Sequence, residues 1–263
     1  MNLDSVQRLR EIVRRLRAPD GCPWDQEQTH QSLKPHLLEE CYELMDAIDA
    51  GDDQQLREEL GDLLLQVMLH SQIASESHRF TLDDVAGEIA DKLVRRHPHV
   101  FGETRLPDSE AVLKQWDRLK FAEKAERRSV LDGVPLHLPA LARAQKLQSK
   151  AARVGFDWPD AAGALDKLHE ELTEAVNASD ADLADEVGDL LFAVVNYARK
   201  RRIDAEQALL SANRKFLERF RAVEELAAAR NVDVRNAGLE VLDALWDEVK
   251  ARAAAEPSPR RVD

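Results

Sequence analysis

Two sets of four carboxylates share one arrangement. Glu40 and Glu43 are three residues apart, as are Glu59 and Asp62, and the spacing recurs in Glu171 with Glu174 and Glu186 with Asp189. Residues three apart share one face of an α-helix. Each set is split between two helical stretches joined by a short loop, which makes the helices antiparallel neighbours. Counted from residue 51, Glu43 and Glu59 are each eight residues away, and Glu40 and Asp62 each eleven. Counted from Asp180, Glu174 and Glu186 are each six away, and Glu171 and Asp189 each nine. Residues equidistant from the turn of a hairpin lie at one height, so each set is expected to meet as two facing pairs. An isolated acidic pair ordinarily marks a solvated helix face. Here, however, Asp62 lies among Leu60, Leu63, Leu64, Leu65 and Val67, and Asp189 among Val187, Leu190, Leu191, Phe192 and Val194. Carboxylates in such surroundings are expected to be partly buried, and four together repel unless a cation compensates. All-oxygen ligation suits a hard ion, Mg²⁺ or Mn²⁺, whose remaining positions go to water and phosphate oxygens.

Paired cations follow each acidic set. Lys92 with Arg96 and Lys215 with Arg219 are four residues apart. An acidic metal site followed by such pairs suits a polyphosphate held by metal on one side and by Lys and Arg on the other. A solvated basic face is the competing reading. Trp246 lies with Val241, Leu242, Leu245 and Val249 at helical spacing, which fits core packing. Its ring face is also a platform on which any base can stack. Several other chemistries are excluded. No Cys/His cluster has zinc spacing. The one Glu-x-x-His, Glu27 to His30, lies outside the acidic hairpins, against a di-iron bundle. There is no Gly-x-Gly and no Gly-Lys-Ser/Thr, hence neither a Rossmann crevice nor a P-loop.

The elements that must position these groups are helical. Leu3, Val6, Leu9, Ile12, Val13 and Leu16 mark a first amphipathic helix, ended by Pro19-Asp20-Gly21. Further helices are expected over about 32–50, 53–70, 81–97 (with Thr81 as N-cap) and 108–126. After the turn-rich stretch Asp132 to Pro139 come helices near 139–153, 160–178, 180–200, 204–230 and 237–254. No strand pattern appears. The acidic sets, the cation pairs and the tryptophans Trp116 and Trp246 recur in the same order, offset by 123 to 131 residues. A period above 100 residues means two domains rather than a solenoid. The expected domains are 1–130 and 139–254, with a tail over 255–263.

The chain has 263 residues, with 50 Asp and Glu against 37 Lys and Arg, a formal charge of −13. Ten Gly, ten Pro and 5% aromatic residues fit an all-α protein and argue against a β-sandwich. The acidic balance disfavours nucleic acid as a partner. The longest apolar run, Leu190 to Val195, is six residues, so no membrane span is expected. The N-terminus lacks an apolar signal core, and two cysteines make no disulfide framework. A cytoplasmic location is the resulting expectation.

Glu-Glu-x-x-Glu followed by Glu-x-x-Asp on the next helix, present twice, resembles the MazG family of nucleoside triphosphate pyrophosphohydrolases. Gly21-Cys-Pro-Trp-Asp25, Arg95 to Phe101 and Val154-Gly-Phe-Asp-Trp158 are similar to that family's segments. The resemblance covers about residues 5–250. It implies tandem helical bundles of the all-α NTP pyrophosphatase type, a homodimer, and hydrolysis of NTPs and dNTPs to the monophosphate and pyrophosphate with Mg²⁺. It also implies Glu171, Glu174, Glu186 and Asp189 as catalytic metal ligands. Lys167, Glu171, Asp189, Lys215, Arg219 and Trp246 are implied in nucleotide binding, and Glu40, Glu43, Glu59 and Asp62 as a second possible metal site. Lys167 corresponds to His36 in the first copy, so the two copies differ in their phosphate grip. Glu171 is the sequence's candidate to accept a proton from water. A relative specific for dUTP or another modified nucleotide, and a non-catalytic nucleotide- or metal-sensing scaffold, remain open as alternatives at this point.

Overall fold

The computed structural model describes residues 4–109, 111, 112, 115, 116, 119 and 129–255. The described residues form helices and turns with no strand, an all-α fold. Most of the helix expected over 108–126 and the expected tail lie outside them. The chain divides into two compact units, Met1–Ala125 and Glu126–Asp263.

The first unit contains α1 (Ser5–Leu16), α2 (Pro23–Glu27), α3 (Lys34–Ala50), α4 (Asp53–Glu76), α5 (Leu82–Arg96) and α6 (Pro98–Phe101). Asp4 caps α1 by accepting from the Val6 and Gln7 amides, and Asp52 caps α4 through those of Gln54 and Gln55. Thr81 does cap α5, within a capping box completed by Asp84. Gly51 ends α3 in the left-handed region at φ 68°, which turns the chain directly into α4. The α3–α4 hairpin therefore centres on residue 51, as the spacing requires. Val13, Leu33, Met68, Leu69 and Ile73 form the buried core, joining α1 and the start of α3 to the far half of α4. This packing carries α4 six residues beyond the expected stop at His70. Arg17, its side chain only 6% exposed, adds a bidentate pair with Glu76 at 2.8 and 2.9 Å. It also donates to the carbonyls of Asp25 and Gln28, so one guanidinium ties the 18–33 connection to α4.

The second unit contains α7 (Ala140–Ala152), α8 (Ala161–Asn177), α9 (Leu183–Lys200), α10 (Ala205–Ala229) and α11 (Gly238–Ala255). Helices α8 and α9 repeat the α3–α4 hairpin. Val223, Leu226, Ala227, Leu245 and Val249 make a separate core between α10 and α11. Helix α7 lies against α9, where Gln148 Nε2 donates to the Phe192 carbonyl at 2.8 Å. Lys150 donates to the carbonyls of Val130 and Asp132.

Candidate functional site

In the first hairpin, carboxylate oxygens of Glu40, Glu43 and Glu59 all lie within 4.8 Å of one another. Burial, followed by the charges of Asp62, Glu43 and Glu59, raises the Glu40 carboxyl above its ordinary range. The Glu59 carboxyl is raised by desolvation and then by Glu43 and Asp62. The strongest charge on Glu40 is thus Asp62 and that on Glu59 is Glu43, the two pairings that equal distance from the turn demands.

The second hairpin repeats the cluster with Glu171, Glu174 and Glu186, again within 4.8 Å. Glu171 is 6% exposed. The Glu174 carboxyl is raised by desolvation and then by Glu171. Lys167 Nζ lies 2.5 Å from Glu171 Oε1 and 2.8 Å from Glu170 Oε1, and hydrogen bonds to both raise the ammonium above its usual range. Asp189 is exposed and outside the three-carboxylate cluster. The expected partial burial therefore holds for Asp62 but not for Asp189. The reason lies in the apolar residues around Asp189, since Val187, Leu191, Phe192 and Val194 are each more than 40% exposed. They form a face that the unit itself does not cover.

The remaining expected residues sit on the α10–α11 hairpin. Lys215 is exposed and Arg219 half-buried, and neither has an ion-pair partner among the described residues. Trp246 packs on the α10–α11 core, its ring 5.4 Å from that of Phe216, so the core-packing reading holds for one part of its surface. No hydrogen bond or ion pair joins these three residues to the carboxylates among the described residues. His36, the counterpart of Lys167, has Nδ1 3.7 Å from Glu39 and its ring edge against Trp24.

No spacing signal in the sequence marks the cluster at the end of α9, in which Arg199 and Lys200 hold Asp157 across 42 and 43 residues. Hydrogen bonds from Arg199 and then Lys200 keep the Asp157 carboxyl below the usual range. They fix the 154–158 segment on the end of α9.

Comparison with known proteins agrees with the geometry. The MazG nucleotide pyrophosphohydrolase domain matches residues 28–101 and 163–223, which takes in both acidic hairpins. The chain belongs to the MazG family. It is 46% identical over 257 residues to the nucleoside triphosphate pyrophosphohydrolase of Escherichia coli (strain K12), covering 94% of this chain and 98% of the relative. It is 47% identical over 247 residues to the nucleoside triphosphate pyrophosphohydrolase/pyrophosphatase MazG of Thermotoga maritima, covering 93% of this chain and 95% of the relative. A tandem MazG protein thus accounts for nearly the whole chain, and the divalent-metal dependence of the family finds a donor set in each hairpin.

Proposed function

We propose that this MazG protein hydrolyses nucleoside triphosphates, ribo- and deoxyribo-, to the monophosphate and pyrophosphate, with Mg²⁺ held in the α8–α9 hairpin. The observation that carries the reading is the convergence of Glu171, Glu174 and Glu186 with an ammonium, that of Lys167, on the buried member. Three carboxylates this close repel one another, as the raised Glu174 carboxyl records, so the donor set fits a hard divalent cation. Asp189, one turn beyond Glu186, completes the set by its position in the family motif. Bound there, Mg²⁺ would neutralise phosphate oxygens and lower the pKa of a coordinated water.

The chain's own residues supply the rest. Lys167 stands at the lip of the cluster, where a phosphate oxygen competes with Glu171 for its ammonium. Lys215 and Arg219, which have no ion-pair partner among the described residues, take further phosphate oxygens, and Trp246 walls the nucleotide on that side. Glu171 has one oxygen engaged by Lys167. Glu174 is exposed and accepts no hydrogen bond from Lys167, so its carboxylate is the one placed to take the attacking water's proton. The functional modules are residues 1–130 and 139–254. They work in a homodimer, because the exposed apolar residues of both hairpins need cover. The first hairpin is a second metal site with a weaker phosphate grip. Nucleotide-pool housekeeping in the cytoplasm is the corresponding role, and among the described residues no helix is long and apolar enough to cross a membrane.

Incubation of the purified chain with ATP and Mg²⁺, with products resolved by chromatography, tests the reading. AMP and pyrophosphate are expected. ADP with inorganic phosphate, or no turnover of any nucleoside triphosphate, would overturn it.

A further inference from the structure

Lys167, Glu170 and Glu171 lie within about one turn of α8, and the ammonium of the first bridges the carboxylates of the other two at 2.8 and 2.5 Å. The two carboxylates are unlike. Glu171 is 6% exposed and belongs to the three-carboxylate cluster, whereas Glu170 faces solvent and lies outside it. Lys167 therefore stands on the boundary between the cluster and water.

Helix stability does not account for the bridge. A Lys placed four residues before a Glu is the weaker orientation of such a pair, and exposed pairs contribute little. The buried carboxylate does account for it, because an ionised Glu171 with no cation beside it would carry the full cost of burial. The first copy shows that condition. Glu40, the counterpart of Glu171, has no ion-pair partner among the described residues, and burial followed by Asp62 raises its carboxyl. His36 stands at the position of Lys167, and its Nδ1 lies 3.7 Å from Glu39, the counterpart of Glu170. In both copies, then, the residue at the phosphate-gripping position has the same outer carboxylate beside it, three residues on. Only in the second copy does it also pair with the inner one.

A divalent cation in the cluster and an ammonium on Glu171 compete for one carboxylate, and the two cations repel. Lys167 has a second anchor when it leaves, since Glu170 already holds it on the solvent side. We propose that Lys167 is a stand-in for the metal: it neutralises Glu171 in the metal-free protein, yields that carboxylate to the divalent cation, and is then held by Glu170, a positioning residue that aims the ammonium at a phosphate oxygen. The ammonium stays protonated, so the step exchanges ion pairs and moves no proton. The proposal rests on the reading of the α8–α9 carboxylates as the metal and triphosphate site. It makes binding of the cation prepare the phosphate grip, a coupling absent from the first copy, where no ion pair joins His36 to Glu40 among the described residues.

Two arms test it. The first titrates Mn²⁺ into metal-free protein without nucleotide and follows the free ion by electron paramagnetic resonance, in a Glu43→Gln background that weakens the first hairpin. Adding Lys167→Met is expected to tighten Mn²⁺ binding about tenfold, while Lys146→Met, the same loss of charge at an exposed position on α7, should stay within about twofold. Unchanged affinity in Lys167→Met, or an equal gain in Lys146→Met, would overturn the proposal.

The second arm measures ATP hydrolysis at saturating Mg²⁺ and needs only substitutions at the exposed Glu170. By charge alone, neutralising an anion beside a triphosphate tightens binding; loss of a positioning carboxylate loosens it. Glu170→Gln is expected to raise KM about tenfold with kcat within about twofold, and Glu170→Asp to restore most of the loss. The effect of Glu170→Gln should vanish when Lys167→Met is already present. A lowered or unchanged KM in Glu170→Gln, or the same rise with Lys167 absent, would overturn the positioning role. Wild type that binds Mn²⁺ and hydrolyses ATP while these variants match it sinks the exchange alone. A chain that binds no divalent cation sinks the metal reading with it.

Discussion

Lys167 reaches forward one helical turn to Glu171, its ammonium 2.5 Å from the one carboxylate of the cluster that is buried. In the first copy the corresponding His36 sits beside Glu39 instead, an imidazole where the second copy has an ammonium. The two hairpins thus share a metal donor set and differ in the cation that greets a phosphate. Glu174→Gln is expected to remove most hydrolysis, about a hundredfold in kcat/KM or more, a loss of about 3 kcal/mol in transition-state stabilisation. Glu43→Gln should leave much of it. Equal losses in the two variants, or a larger one for Glu43→Gln, would refute the division of labour.

Neutralising the cluster separates catalysis from folding. Glu186→Gln and Asp189→Asn each remove a charge from a site whose members repel, so the helices should stay folded by circular dichroism while turnover at saturating Mg²⁺ falls at least tenfold. Normal turnover by either variant would remove that residue from the metal set. Asp189 is the sharper case, because its exposed carboxylate stands outside the three that already converge.

Mg²⁺ itself should stabilise the chain, and in a pH-dependent way. Glu40, Glu59 and Glu174 have carboxyls raised in the folded protein, so their contribution favours folding at low pH and is lost as pH rises through the raised values. A bound divalent cation relieves that repulsion at neutral pH. At 100 times its dissociation constant a ligand adds about 2.7 kcal/mol, which for a unit of this size is several degrees in Tm. Calorimetry should therefore show a larger Mg²⁺-induced rise at pH 7 than at pH 4.5. An equal rise at the two pH values would contradict a site built from these carboxylates.

What the sequence made legible was whatever depends on local period. The hairpin pairing of Glu40 with Asp62 and Glu43 with Glu59 follows from counting to Gly51, and the Thr81 cap follows from one residue and its neighbours. What stayed hidden depends on contacts between distant residues. The continuation of α4 past His70 comes from packing on Val13 and Leu33, with Met68 buried in the same core. The exposure of Asp189 reflects an apolar face left open within the unit. Gln148 carries no periodic or charge signal at all, since an unpaired amide oxygen becomes visible only when its surroundings are.

That open face gives a prediction about assembly. Leu191, Phe192 and Val194 on α9, and Leu172 and Val176 on α8, are each more than 40% exposed. An apolar face of this kind on a catalytic hairpin is a subunit contact by default. Light scattering should give a dimer at micromolar concentration, and Leu191→Glu with Val176→Glu should shift it toward monomer. A wild-type monomer under those conditions would contradict the expectation.

The first unit carries a pH-sensitive contact of its own. His30 and His70 stack with ring centroids 5.1 Å apart, and their Nδ1 atoms are 2.8 Å from each other. Arg79 Nη2 lies 2.6 Å from His30 Nε2. An arginine has only donors, so His30 Nε2 must accept, Nδ1 must carry the proton, and His70 Nδ1 must accept it in turn. Both rings are neutral in this chain of bonds, and a proton added to either would set cation against cation. Burial, and then the charge of His30, holds the His70 imidazole below its ordinary value. A ring with a depressed value in the folded state binds protons better when unfolded, so its contribution is present above about pH 6.5 and is lost as pH falls through the depressed value. The raised carboxyls have the opposite sign and act in a lower window, so wild type alone would blend the two effects. The difference between wild type and His70→Gln isolates the histidine. In metal-free protein the stability advantage of wild type over His70→Gln should shrink by roughly a few degrees in Tm between pH 7.5 and 5.5. If the two melting curves keep a constant separation across that range, the His30–His70 bond does not titrate with folding, and the polarity assigned to it is wrong.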